Sequence, residues 1–244
     1  MEGKNVRIPH GHFVGNGGQA IDIDGELVPR DLFELHLHRE PYFGPTADPA
    51  VLMRLASFSL LSGLHVPEDL MAIKLTDLSS VSRGLGDCFL RALERYDWQF
   101  VTEPLPRTNE CDPYIQLASG VPWVQVANRL RETIFVHQPS WERLSPQHKV
   151  AILIHEAVYS LLMPTAVDGK SFQQVGPEAR LIAGNAFNAE VFGTDSSGRE
   201  LFADSLNKLN VPREVGVIAK LECEFYPYRT RSGYEQLGCR VLSA

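Results

Sequence analysis

Three residues in "AILIHEAVYSLLM", positions 151 to 163, have types and spacing suited to chemistry: His155, Glu156 and Tyr159. On a helix, residues four apart share a face, so His155 and Tyr159 point the same way. Glu156 lies about 100° round the helix, beside them. The spacing is close to His-Glu-x-x-His, in which two imidazoles hold Zn²⁺ and the glutamate activates a bound water. Here a tyrosine stands in the last place, and zinc prefers imidazole, thiolate or carboxylate ligands. The phenol would have to ionise from a pKa of about 10 to serve. On a metal reading, His155 is a ligand, Glu156 the general base, and Tyr159 a ligand or oxyanion stabiliser. Glu178 follows at an interval that suits a third ligand, and zinc is the cofactor such a set would take.

The same residues support two other readings. In a metal-independent hydrolase, Glu156 would act as general acid on a glycosidic oxygen, with Glu178 or Glu190 as the second carboxylate. The substrate would then be a cell-wall glycan, where the metal reading implies a protein. In a structural reading, His155 and Glu156 form a buried polar pair and Tyr159 is a core aromatic. A buried ionised glutamate needs a counter-charge, and Arg180 on the next helix is the candidate. Elsewhere, "HGH" (His10, His12) and "HLH" (His36, His38) space two imidazoles as one face of a strand would, an arrangement that can bind metal. No cysteine sits in an obvious activating environment, and there is neither a G-x-S-x-G elbow nor a phosphate loop.

These residues need elements to hold them. Ser145 as N-cap and Pro146 at the first helical position predict a helix that runs to Pro164. Asp48, Pro49 and Gly63 bound a second helix in the same way, and "PEDLMAIKLTDL" and "VSRGLGDCFLRALERYDW" continue the helical first half. "DLFELHLHRE" reads equally as a strand or a helix start. "WQFVTE", "YIQLAS", "WVQVAN" and "TIFVHQ" are short, β-branched or aromatic segments that predict a small sheet. After the His-Glu helix come "GPEARLIAGNAFNAEVF" and "RELFADSLNKLN" as helices, then a C-terminal hairpin. The expectation is one α+β domain over 31–244, with residues 1–30 as an N-terminal arm containing the turn signals "GNGG" and "DG".

Composition excludes some partners. A net charge of −7 over 244 residues, with no Lys/Arg cluster, argues against nucleic acid. No apolar run reaches membrane-spanning length, so no integral membrane segment is expected. The opening "MEGKNVRIPHGHF" lacks the apolar run of a signal peptide. The four cysteines (Cys88, Cys111, Cys223, Cys239) form no C-x-x-C pair. They fit two disulfides or four buried thiols. Cys223 and Cys239 fall in successive strands of the hairpin and could face one another, leaving Cys88 with Cys111.

Taken together, "GNGG" at 15 to 18, the "IQLAS" strand near a cysteine, Trp141, "LSPQHKVAILIHEAVY" and Arg180 resemble a family of secreted bacterial proteins, numerous in predatory species, with no assigned activity. Members carry His-Glu-x-x-Tyr, so the resemblance makes Tyr159 a family residue and maps His155, Glu156, Tyr159 and Arg180 onto its signature. It spans residues 13 to 190. The chain departs from the pattern at "FELHLHRE", where members have a more acidic "LYEA"-like stretch. More distantly, the helix and the "TIFVH" strand before it are similar to zincin-like metallopeptidases. The resemblance implies a periplasmic or secreted protein and favours disulfides. It leaves three functions open: a zincin-like hydrolase, a cell-wall glycan hydrolase, and a non-catalytic envelope-associated protein.

Overall fold

A two-residue turn at Asp24 and Gly25, both with positive φ, folds β1 (Gln19–Ile23) back on β2 (Glu26–Pro29). Positive φ at both central residues matches the twist of the two strands, and the "DG" pair supplies it cheaply. The structure is a computed structural model and describes residues 18–106, 122–130, 132–162, 172–192, 196–206, 222–229 and 235–242. Residues 18–30, expected within the arm, contribute to the core: Ala20, Ile21 and Leu27 are fully buried.

"DLFELHLHRE" resolves as a short helix, α1 (Arg30–Glu34), rather than a strand. His36 then takes a positive φ of 59°, so "HLH" does not present two imidazoles from one strand face. The "HGH" pair and the "YIQLAS" segment lie outside the described residues. Helix α2 (Pro49–Ser62) starts and stops as its ends predict. The Asp48 carboxylate accepts from the Ala50 amide at 2.8 Å, and Gly63 closes the helix in the left-handed region. Asp48→Ala is expected to lower stability by about 1 kcal/mol in urea denaturation, the usual loss for an N-cap.

Helices α3 (Glu68–Val81) and α4 (Leu85–Glu94) follow, and then the strands β3 (Asp97–Val101), β4 (Trp123–Gln125), β5 (Ala127–Leu130) and β6 (Thr133–His137). They make two small sheets. One has the order β2-β1-β4, and the other β3-β6-β5 with β3 parallel and β5 antiparallel to β6. Only Val126 separates β4 from β5, so the chain passes from one sheet to the other at a single residue.

A short helix, α5 (Gln138–Arg143), leads to α6 (Pro146–Leu162). Ser145 Oγ accepts from the His148 amide at 3.2 Å, the cap the sequence predicts. Every residue of α6 from Val150 to Leu162 is buried, so this is the central helix of the core. Around it pack α1, α3, α4, β2 and α7 (Phe172–Asn185). Helices α8 (Ala189–Phe192) and α9 (Ser196–Leu206) and the hairpin β7 (Glu222–Arg229) with β8 (Glu235–Leu242) complete an α+β fold. In the hairpin register Cys223 stands opposite Val241 and Cys239 opposite Phe225, so the two cysteines are offset rather than directly opposed. No helix of the described residues is long and apolar enough to cross a membrane.

Candidate functional site

The interior of α6 carries two adjacent polar residues, and each is claimed by a different neighbour. Glu156 faces β5, where Arg129 Nη2 lies 3.2 Å from its Oε2. The same nitrogen donates to the Glu156 carbonyl at 3.0 Å and to Ser160 Oγ at 2.7 Å. Ser160 in turn donates to the Glu156 carbonyl at 2.6 Å. Arg129 Nη1 donates to Tyr96 Oη at 3.0 Å. The guanidinium lies over the Tyr96 and Tyr159 rings, 4.1 and 5.1 Å from their centroids. The second carboxylate oxygen, Oε1, accepts from the Gly18 amide at 2.7 Å. Glu156 is 0% and Arg129 1% exposed.

This is the arrangement a buried ion pair requires. Removing two charges from water costs several kcal/mol each, and only good geometry with satisfied lone pairs offsets that cost. The planar guanidinium fork, rather than a lysine, can meet carboxylate, hydroxyl and two aromatic faces together.

His155 faces the other way, toward α1. Its Nδ1 lies 2.8 Å from Asp31 Oδ2, and both residues are buried. The His155 and Tyr159 rings are nearly parallel, 8° apart, with centroids at 6.3 Å. Beside this pair, Glu34 bridges two arginines: Arg30 Nε to Oε1 at 2.5 Å and Arg180 Nε to Oε2 at 3.0 Å. Arg30 also donates to Gln19 Oε1 at 2.9 Å. Burial holds the Arg180 guanidinium below its ordinary pKa, while Glu34 works against that shift.

The residues singled out from sequence therefore separate into two networks back to back on α6. His155 and Arg180 belong to the α1 side, and Glu156 to the β5 side. Tyr159 stacks on His155 and also lies under Arg129. The counter-charge of Glu156 is Arg129, not Arg180, because Arg180 on α7 is committed to Glu34 on α1. Glu178 is half-buried on α7 and Glu190 is exposed on α8. Sequence reading missed Arg129, Asp31 and Tyr96. It discounted the "FELHLHRE" stretch, whose Glu34 holds Arg180.

As a zinc site this donor set does not fit. The Glu156 carboxylate is taken on both oxygens, by Arg129 and by the Gly18 amide, so it is not free to activate a metal-bound water, and His155 faces the separate network on α1. Among the described residues no group of three or more His, Cys, Asp or Glu side chains is placed to hold a metal. Gly18, the last residue of "GNGG", contacts Glu156, and Glu34, in the stretch where the chain departs from the family pattern, holds Arg180. Compared with known protein families, curated proteins and solved structures, the chain matches none.

Proposed function

We propose that the chain is an exported, envelope-associated binding protein in which the His-Glu-x-x-Tyr helix is a structural hub and not a catalytic centre. One observation carries this reading: Glu156 is enclosed, with one carboxylate oxygen on the Gly18 amide and the other on Arg129. A general base must reach a water, and a general acid must reach the leaving oxygen. A carboxylate satisfied on both oxygens inside the core reaches neither. The two hydrolase readings both need Glu156 open to a substrate. Export is supported by the resemblance over residues 13 to 190.

The test is metal analysis of the purified protein, with thermal melts in chelator and a cell-wall lysis assay alongside. The expected outcome is no stoichiometric transition metal, the same Tm with and without chelator, and no lysis. Stoichiometric zinc, or lysis that Glu156→Gln abolishes, would sink the proposal.

A further inference from the structure

Among the described residues four large apolar side chains stand exposed, and three of them belong to α2: Met53 at 70%, Leu60 at 83% and Leu61 at 86%. A single exposed leucine is ordinary on a protein surface, whereas a contiguous set marks an interaction site. These are contiguous. At 100° per residue, Met53 and Leu60 stand two turns apart on one line, with exposed Ala56 and Ser57 on either side of it. Leu55 and Phe58 point the opposite way, into the core. The outward line carries no charged residue.

The charges lie to one side. Arg54 reaches across to α4, where it pairs with Asp87 and, at 2.7 Å, with Glu94. Arg91 pairs with Asp87 at 2.9 Å. Two positive and two negative side chains therefore flank the apolar line and carry no net charge.

Two features of this pattern choose the occupant. Met53 and Leu60 are equidistant from the midpoint between Ala56 and Ser57, so the line reads the same in both directions as large, small, small, large. A two-fold axis crossing the helix at that midpoint lays Met53 on the Leu60 of a second copy. The two small residues let the helices approach at the axis. An isologous contact requires such self-complementarity. The same axis also sets the charged flank against the same flank of the copy. A flank of one sign would repel itself, but two charges of each sign can exchange partners across the contact. A lipid surface fits less well, because helices that lie on membranes carry Lys and Arg along their polar face. Here the chain has a net charge of −7, and the one arginine of α2 is committed to two carboxylates.

We propose that α2 forms the interface of an antiparallel two-fold dimer of this chain, centred between Ala56 and Ser57 and held by Met53 against Leu60. The contact runs along one helix of about 21 Å, at the small end of specific interfaces, so the dimer is weak and depends on concentration. The interface lies on α2 and not on α6, so dimerisation stands apart from the question of what Glu156 does.

Sedimentation equilibrium of the full-length chain tests it. As the concentration rises from about 5 μM to about 500 μM, the average mass should climb from the 27.2 kDa of one chain towards twice that value. Leu60→Glu and Met53→Lys should each weaken association at least tenfold, with Tm and far-UV circular dichroism unchanged, as exposed positions allow. An equimolar mixture of the two variants should associate at least tenfold more tightly than either alone. Antiparallel pairing sets the new ammonium of one chain against the new carboxylate of the other. A wild-type chain that stays at 27.2 kDa throughout would overturn the proposal. So would a dimer that Leu60→Glu leaves intact, or a mixture no tighter than the single variants. Binding of monomeric wild type to phosphatidylcholine vesicles, lost in Leu60→Glu, would assign the face to lipid and overturn it as well.

Discussion

Arg129→Ala is expected to cost on the order of 3–5 kcal/mol of folding stability, the usual loss when a buried pair is broken from one side. The reason is the charge left behind. Glu156 would keep the Gly18 amide on one oxygen but have no cation at the other, inside the Val150–Leu162 stretch of α6 in which every residue is buried. Ser160 Oγ and Tyr96 Oη would also lose a donor, and the space between the Tyr96 and Tyr159 rings would empty. Urea denaturation should show a lower midpoint with the slope unchanged. Arg129→Lys should recover little, since one ammonium cannot occupy both guanidinium nitrogen positions. The paired change Arg129→Met with Glu156→Leu should cost clearly less than the sum of the single changes, because it removes both charges together. A single variant within about 0.5 kcal/mol of wild type would show that the pair does not hold the fold.

How far this site was legible in the sequence can be traced residue by residue. The frame of α6 was visible because Ser145, Pro146 and the apolar run all point to one element, and α2 was visible from Asp48, Pro49 and Gly63 for the same reason. The need for a cation near Glu156 was also legible: a glutamate in so apolar a helix cannot stay ionised alone. Its source was not. Arg180 was nearer along the chain and followed the motif, while Arg129 sits in "ANRL", four residues whose alternation gives no sign that the arginine points inward. A strand that short reports its facing only through its neighbours, and β5 is placed by β6 and by the Gly18 carbonyl, neither of which pattern reading can supply. The same limit applies to "DLFELHLHRE". Its apolar spacing fits a strand or one turn of helix, and tertiary pairing decided it. Asp31 and Glu34 sit three apart, and on a helical turn both face inward, where His155 and Arg180 bind them.

The second large effect belongs to Lys74, a fully buried lysine far from any motif. Its ammonium is 3.0 Å from Asp77 Oδ2. It lies within 4.6 to 5.1 Å of the ring centroids of Tyr42, Phe43, Phe187 and Phe192. Asp77 also accepts from the Gly44 amide at 3.0 Å, so the same carboxylate ties the Tyr42–Phe43 loop to α3. Burial outweighs Asp77 and pushes the Lys74 pKa down to about 8, against about 10.4 for a lysine in the unfolded chain. Between those two values the unfolded state holds one proton more than the folded state, so stability rises with pH across that window. Below about pH 8 the full penalty of a charged buried amine is present, and above about pH 10.5 it is gone. At about 1.36 kcal/mol per pH unit the rise amounts to roughly 3 kcal/mol. Tyrosines and thiols titrate in the same range, so the quantity to measure is the difference between wild type and Lys74→Met in urea denaturation from pH 7.5 to 10.5. That difference should shift in favour of wild type by about 3 kcal/mol as the pH rises. The four rings explain why the amine is tolerated at all: a desolvated cation over an aromatic face gains about 2 kcal/mol or more, which partly offsets its burial. A flat difference would mean that Lys74 keeps an ordinary pKa, and that Asp77 and the rings outweigh desolvation.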